Sequence, residues 1–211
     1  MIKQTQKSPL IENGIVVGTG SNKYQMRNPI GQILLKNFDR ALSDLIKPLN
    51  PKTILEVGCG EGHVTQILVD CTAAKIRGTD ISNTILNQAR EAVLSPRVSF
   101  HNQNIYQFNP DIDRAELVVC CEVLEHLENP TLGLEKLASL ASPYCLLSVP
   151  REPIFRTLNF LRGAYLAEFG NSPGHIQHWS KRGFIKLVKT QFELIEVRAP
   201  LPWTVILAKV K

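Results

Sequence analysis

After Pro51 the chain alternates short runs rich in β-branched and apolar residues with longer stretches whose apolar positions return every three to four residues. That rhythm belongs to a parallel sheet whose strands are joined by helices. Strands are predicted near residues 53–58, 75–80, 98–102, 115–121 and 144–149, with helices from His63 to Cys71, Ser82 to Leu94 and Thr131 to Ala141 between them. Ser82 and Thr131 suit N-cap positions, since a hydroxyl there accepts from an amide of the first turn. Two last β-rich runs, Phe192 to Val197 and Thr204 to Val210, are separated by Ala199-Pro200-Leu201-Pro202 with no helix between them, which predicts an antiparallel pair. Ahead of Pro51, Ile30, Ile33, Leu34, Phe38, Ala41, Leu42 and Leu45 recur at helical spacing, and Pro48 and Pro51 close that helix. Nearer the start, Asn13-Gly14 between Leu10-Ile11 and Ile15-Val16-Val17 has the chemistry of a type I′ hairpin turn.

These elements predict an α/β fold: a doubly wound, mostly parallel seven-stranded Rossmann-like sheet with a C-terminal antiparallel hairpin and an N-terminal helical cap. The 211 residues are expected to form a single domain, with an arm and cap helix over 1–50, a cofactor-binding core over 51–150, a substrate lid over 151–179, and a last helix and hairpin over 180–211. Hydrophobic residues make up 44% and charged ones 20%, which excludes a disordered chain. No apolar run reaches the roughly 20 residues of a membrane-spanning helix. Residues 1–8 lack a secretory pattern, so the expected location is cytoplasmic, with no stable membrane insertion. Five cysteines without CxxC spacing read as reduced core residues. The formal net charge of +5 is too mild to imply nucleic acid, but its placement is uneven. Between 151 and 189, seven cations face two acids, which accounts for the whole excess.

Candidate chemistry begins at Glu56-Val57-Gly58-Cys59-Gly60-Glu61-Gly62, where a predicted strand ends and a helix opens. Glycines let the backbone approach a ligand closely, and the amides of a helix start favour an anionic group. A dinucleotide fingerprint would need glycine at 63, and His63 stands there, which argues against NAD. Glu56, two residues before the first glycine, suits a ligand carrying a positive ammonium and a positive sulfonium, as S-adenosylmethionine does. Asp80 ends the second strand, where an acid accepts from ribose hydroxyls; its alternative role is to cap beside Ser82. Glu56-x-Gly58-x-Gly60-x-Gly62, Asp80 and Glu122-Val123-Leu124-Glu125-His126 together resemble the class I S-adenosylmethionine-dependent methyltransferases over about residues 22 to 210. The resemblance is nearest to the branch of ubiquinone and menaquinone biosynthesis methyltransferases.

That resemblance implies a cofactor pocket formed by Glu56, Gly58, Cys59, Gly60, Gly62, Asp80, Ile81, Asn104, Ile105, Cys121 and Glu122. Ile81 would pack on adenine, and Asn104 stands where relatives carry an acid; its amide oxygen still accepts, without charge. Some relatives hold Mg²⁺ with a Glu-x-x-Glu-His pattern, and Glu122, Glu125 and His126 would share a face if helical; the expectation here is no metal. The acceptor would be covered by two segments. One leads in through Tyr24; the other, Pro150 to Trp179, carries Phe155, Leu158, Leu161, Arg162, Tyr165 and Phe169 at near-helical spacing. Substrate contacts are expected from Tyr24, Arg151, Phe155, Arg156, Arg162 and Trp179, the arginines holding an anionic group. His126, His175 and His178 are candidate bases. Trp179 and Phe184 could staple a helix capped by Ser180. The expected reaction is methyl transfer to a small molecule through an O-, N- or C-nucleophile; the rivals are an RNA-directed methyltransferase and an NAD-dependent oxidoreductase. Oligomeric state is left open.

Overall fold

The computed structural model describes residues 10–12, 15–17 and 29–211. Strands β1 (Leu10–Glu12) and β2 (Ile15–Val17) pair antiparallel with Glu12 opposite Ile15, although the Asn13-Gly14 turn itself lies outside the described residues. Helix α1 (Pro29–Ile46) follows, burying Leu35, Phe38, Leu42 and Leu45 on one stripe. The main sheet is then laid down by β3 (Thr53–Val57), α2 (His63–Cys71), β4 (Lys75–Asp80), α3 (Asn83–Ala92), β5 (Val98–Asn102), α4 (Pro110–Asp113) and β6 (Ala115–Cys121). It is completed by α5 (Pro130–Leu140), β7 (Ala141–Pro150), α6 (Ile154–Leu161), α7 (Lys181–Val188), β8 (Phe192–Arg198) and β9 (Trp203–Val210).

The seven strands run in the order β5-β4-β3-β6-β7-β9-β8. The first five are parallel, and β9 lies antiparallel to both β7 and β8. Strand order reverses between β3 and β6, and ligands of open α/β sheets bind at such a switch point, beyond the strands' C-terminal ends. Alternation along each strand feeds two apolar layers. Leu55, Val118 and Cys120 pack beneath α5 and α7, while Ile54, Leu117, Val119 and Cys121 pack against α1 and α2. The adjacent cysteines therefore serve opposite faces, and burial pushes both thiols up, which keeps them unreactive.

Two local expectations are corrected, and one short helix is added. Helix α5 is capped two residues earlier than Thr131, because Asn129 accepts from Leu132 N at 3.0 Å and Pro130 occupies the first turn. Asn109 and Pro110 open α4 in the same way, a signal the hydrophobic pattern misses in so short a helix. The lid helix is only the eight residues of α6, since Gly163 turns left-handed at φ +76° and a single 3-10 turn, Leu166–Glu168, follows. Ser82 caps α3 and Ser180 caps α7 as their sequence positions predict, and Trp179 lies 5.9 Å from Phe184. Among the described residues no helix is long and apolar enough to cross a membrane.

Candidate functional site

The turn after β3 is folded back onto the end of β4: the amides of Gly58 and Cys59 both donate to the Thr79 carbonyl, at 2.8 and 2.9 Å. Gly58 has φ +75°, and a Cβ there would come within 2.2 Å of Val123 Cγ2, so only glycine closes this turn. Gly60 differs. Its φ is +54°, but a Cβ would meet nothing within 4 Å, so the space beside it is open for a ligand. Gly62, at φ +88°, is the N-cap of α2, and His63 in the position of the missing third glycine donates through Nε2 to Asp39 Oδ1 of α1 at 2.8 Å.

Three acids surround this turn. Glu56 is almost wholly buried, and burial pushes its carboxyl up to about 8, against the lowering effect of Thr65 Oγ1, which donates to it at 2.6 Å; nearby Asp80 adds to the rise. Asp80 accepts from Gly60 N at 3.1 Å and from Ser82 N at 3.0 Å, yet burial still raises its carboxyl. Glu61 lines the same space, although no motif singled it out. Burial likewise raises the Cys59 thiol.

A cavity of about 1060 Å³ connects this turn with the lid segment. Glu56, Gly58, Cys59, Gly60, Asp80, Ile81, Asn104, Ile105, Cys121 and Glu122 all line it; Gly62 does not, being turned against Val93 and Ala89 of the α3 side. The Asn104 side-chain oxygen is occupied within the chain, accepting from Tyr106 N at 3.0 Å to cap a 3-10 turn, which is the turn role its type allows. Glu122 takes a left-handed backbone at φ +60°, and its carboxylate accepts from Ser148 Oγ at 2.9 Å and Trp203 Nε1 at 2.8 Å. It therefore leaves the helical face that spacing assigned to it. Glu125 and His126 sit in a 3-10 turn, and there the structure brings in His175 instead.

Glu125, His126 and His175 each offer a ligand atom within 4.8 Å of the others. A carboxylate and two imidazoles form a donor set suited to a transition-metal dication, so the residues fit a metal that the sequence pattern led us not to expect. His126 Nδ1 donates to the Gly174 carbonyl at 2.9 Å, since a carbonyl only accepts. His175 meets the His126 ring edge-on at 4.8 Å and stacks on Phe155 at 5.6 Å.

Other expected contacts lie elsewhere. His178 is exposed outside the cavity, with Nε2 bonded to Asn171 Oδ1 at 2.8 Å. Trp179 packs into the apolar layer and bridges Arg151, away from the cavity. Along α6 and its C-cap, Phe155, Leu158, Asn159, Leu161 and Arg162 line the cavity; Arg156, one residue beyond Phe155, does not reach it. Of the three arginines only Arg162 lines the cavity. Tyr24 lies outside the described residues. Ser148 and Trp203 gave no motif to find them, since their role depends on β7 lying beside β6 and β9 lying beside β7.

A seven-stranded sheet of this order, with a glycine turn at its switch point ringed by acids, defines a nucleoside-cofactor transferase of the S-adenosylmethionine-dependent methyltransferase class, and S-adenosylmethionine is its cofactor. The chain belongs to the methyltransferase-domain family, whose model matches residues 24–197. It is similar to a ubiquinone biosynthesis O-methyltransferase of Coxiella burnetii (strain Dugway 5J108-111), 25% identical over 80% of this chain and 76% of that one. Matches to proteins of the same name in other strains of that organism cover 58% of their length. The fold matches magnesium protoporphyrin IX methyltransferase from Synechocystis PCC 6803 with TM-score 0.65 at 18% identity, covering 88% of this chain and 89% of that one. It also matches the N-methyltransferase NodS from Bradyrhizobium japonicum WM9, with TM-score 0.65 at 16% identity over 84% of this chain and 97% of that one.

Proposed function

We propose that this methyltransferase acts on a small-molecule acceptor with an apolar body, attacking through oxygen, and that an anionic group on the acceptor meets Arg162. The observation that carries the reading is one continuous cavity that joins the glycine turn to His126, His175, Phe155 and Arg162. Its volume stands at the upper end for single-ligand sites, which leaves room for acceptor beside donor. Glu61 and Asp80 favour the donor's cationic end and ribose, Glu56 joins them as it gives up its proton to the arriving cation, and Gly60 permits close backbone approach. Methyl transfer is an in-line displacement that needs alignment above all. The acceptor oxygen attacks the methyl carbon opposite sulfur, the carbon–sulfur bond breaks, and the hydroxyl proton passes to the imidazole of His126 or of His175. The relatives named as ubiquinone biosynthesis O-methyltransferases favour oxygen, whereas the likeness to an N-methyltransferase is one of fold alone.

The Glu125, His126 and His175 group supports a second reading, in which these residues hold a divalent cation that lowers the pKa of the acceptor hydroxyl. Two measurements test both. Methyl-labelled S-adenosylmethionine is offered with phenolic, carboxylated and amine acceptors and with RNA; label entering RNA alone overturns the small-molecule reading. Turnover undiminished in EDTA removes the second reading, and loss restored by Mn²⁺ establishes it over a histidine base.

A further inference from the structure

Neighbouring strands end at the cavity in a fixed order, and that order sets what each end can reach. Across the sheet, β4 closes with Asp80, β3 runs into the glycine turn, β6 runs into Glu122, and β7 leads on to α6. Asp80, Gly60, Glu122 and Phe155, one from each of these four ends, all line the cavity. On the donor placement proposed above, the ribose lies at Asp80 and the amino-acid end at the glycine turn. The sulfonium, carrying the methyl group toward the acceptor, then comes to the next strand end, which is that of β6. The two turns touch, because Val123 Cγ2 fills the space that a Cβ on Gly58 would need.

Glu122 is held there in an unusual way. Its backbone is left-handed at φ +60°, an uncommon conformation for a residue other than glycine. Its carboxylate is fixed from two other strands, accepting from Ser148 Oγ of β7 at 2.9 Å and from Trp203 Nε1 of β9 at 2.8 Å. Ser148 is fully buried and Trp203 nearly so, and the Trp203 ring lies on Phe38 of α1 with centroids 4.8 Å apart. The ring that holds the carboxylate is thus itself held by the cap helix. A glycine at 122 would make the same turn without strain, so the strain is retained for the side chain. Buried donors that converge on one carboxylate at a cavity wall make a charge that is oriented before the ligand arrives.

We propose that Ser148 and Trp203 are positioning residues that hold the Glu122 carboxylate toward the sulfonium, so that the site tells S-adenosylmethionine from S-adenosylhomocysteine by charge. The proposal rests on the donor placement given under the proposed function. Donor and product differ at that one atom: once the methyl group has left, sulfur is a neutral thioether and its attraction to the carboxylate is gone. The arrangement therefore favours release of the product over release of the donor. It is tested by calorimetry of both ligands on the full chain. Glu122→Gln keeps the shape without the charge, and should weaken S-adenosylmethionine roughly tenfold while moving S-adenosylhomocysteine by less than about twofold. Trp203→Phe keeps a ring on Phe38 but lacks the N–H, and Ser148→Ala lacks the hydroxyl; each should weaken S-adenosylmethionine about fivefold and again spare the product. Product affinity in the same variants reports an intact pocket, so a selective loss cannot be ascribed to unfolding. Asp80→Asn touches the ribose common to both ligands and should weaken both alike; a loss confined to S-adenosylmethionine there would overturn the order of contacts along the cavity. A wild type that binds neither ligand would overturn the donor placement itself. Where the wild type binds both, parallel losses in Glu122→Gln, or unchanged S-adenosylmethionine affinity in Trp203→Phe and Ser148→Ala, would overturn this proposal alone.

Discussion

Glu56 carries its proton in the folded chain to about pH 8, whereas an ordinary glutamate loses it near 4.5. Between those values the folded state holds the additional proton, so stability that is fully present below about 4.5 is lost as pH rises through 8. The Tm of donor-free protein is therefore expected to fall between about pH 5 and pH 8, and Glu56→Gln, which keeps the shape without the charge, should flatten that slope. An unchanged slope in the variant would assign it to other groups. The two glycines next along the chain separate fold from site. Gly58→Ala meets Val123 Cγ2 at 2.2 Å and should lower stability by about 2–4 kcal/mol in chemical denaturation. Gly60→Ala meets nothing and should lower it by only about 1 kcal/mol, yet weaken S-adenosylhomocysteine binding in calorimetry. Unaltered ligand affinity in Gly60→Ala would refute the assigned donor position. The importance of both glycines is legible in the sequence; the contrast between them is not, because it depends on Val123, which follows β6.

At the scale of elements, strands and long helices could be read from their periods, while caps and the lid could not. Periodicity survives in any stretch that buries one face, but an eight-residue helix such as α6 offers barely two turns to register it. What holds α6 to its surroundings is a polar residue. Asn159, buried on the cavity face, donates through Nδ2 to the Gly170 carbonyl at 2.9 Å and to Ser172 Oγ at 3.3 Å, pinning the following loop beneath the helix. Asn159→Ala should remove about 1–2 kcal/mol of local stability. Limited proteolysis between residues 163 and 175 should then quicken while the global Tm moves little. A digestion pattern identical to wild type would show that the loop is held by other contacts.

For the whole molecule, three arginines spread over twelve residues read alike in sequence, and the fold separates them. Arg162 lines the cavity, whereas Arg151 donates its amide to the Pro202 carbonyl in the extension of β7, and Arg156 lies off the cavity face of α6. Arg162→Gln should raise the acceptor KM several-fold if the acceptor is anionic, and Arg151→Gln should leave it unchanged. Equal effects from both would mean that charge acts at long range and not through contact.

By itself the sequence determined the alternation of strands and helices, the parallel sheet closed by an antiparallel hairpin, and the glycine turn with Glu56 and Asp80 beside it. All of these follow from local spacing, which a one-dimensional pattern preserves. The tertiary structure decided what depends on chain-distant neighbours. It withdrew Glu122 to Ser148 and Trp203, and it joined His175 to Glu125 and His126. It also sent His178 and Trp179 away from the cavity. Those outcomes are set by which strands lie side by side and how the segment after α6 folds back, and neither leaves a periodic trace in the order of residues.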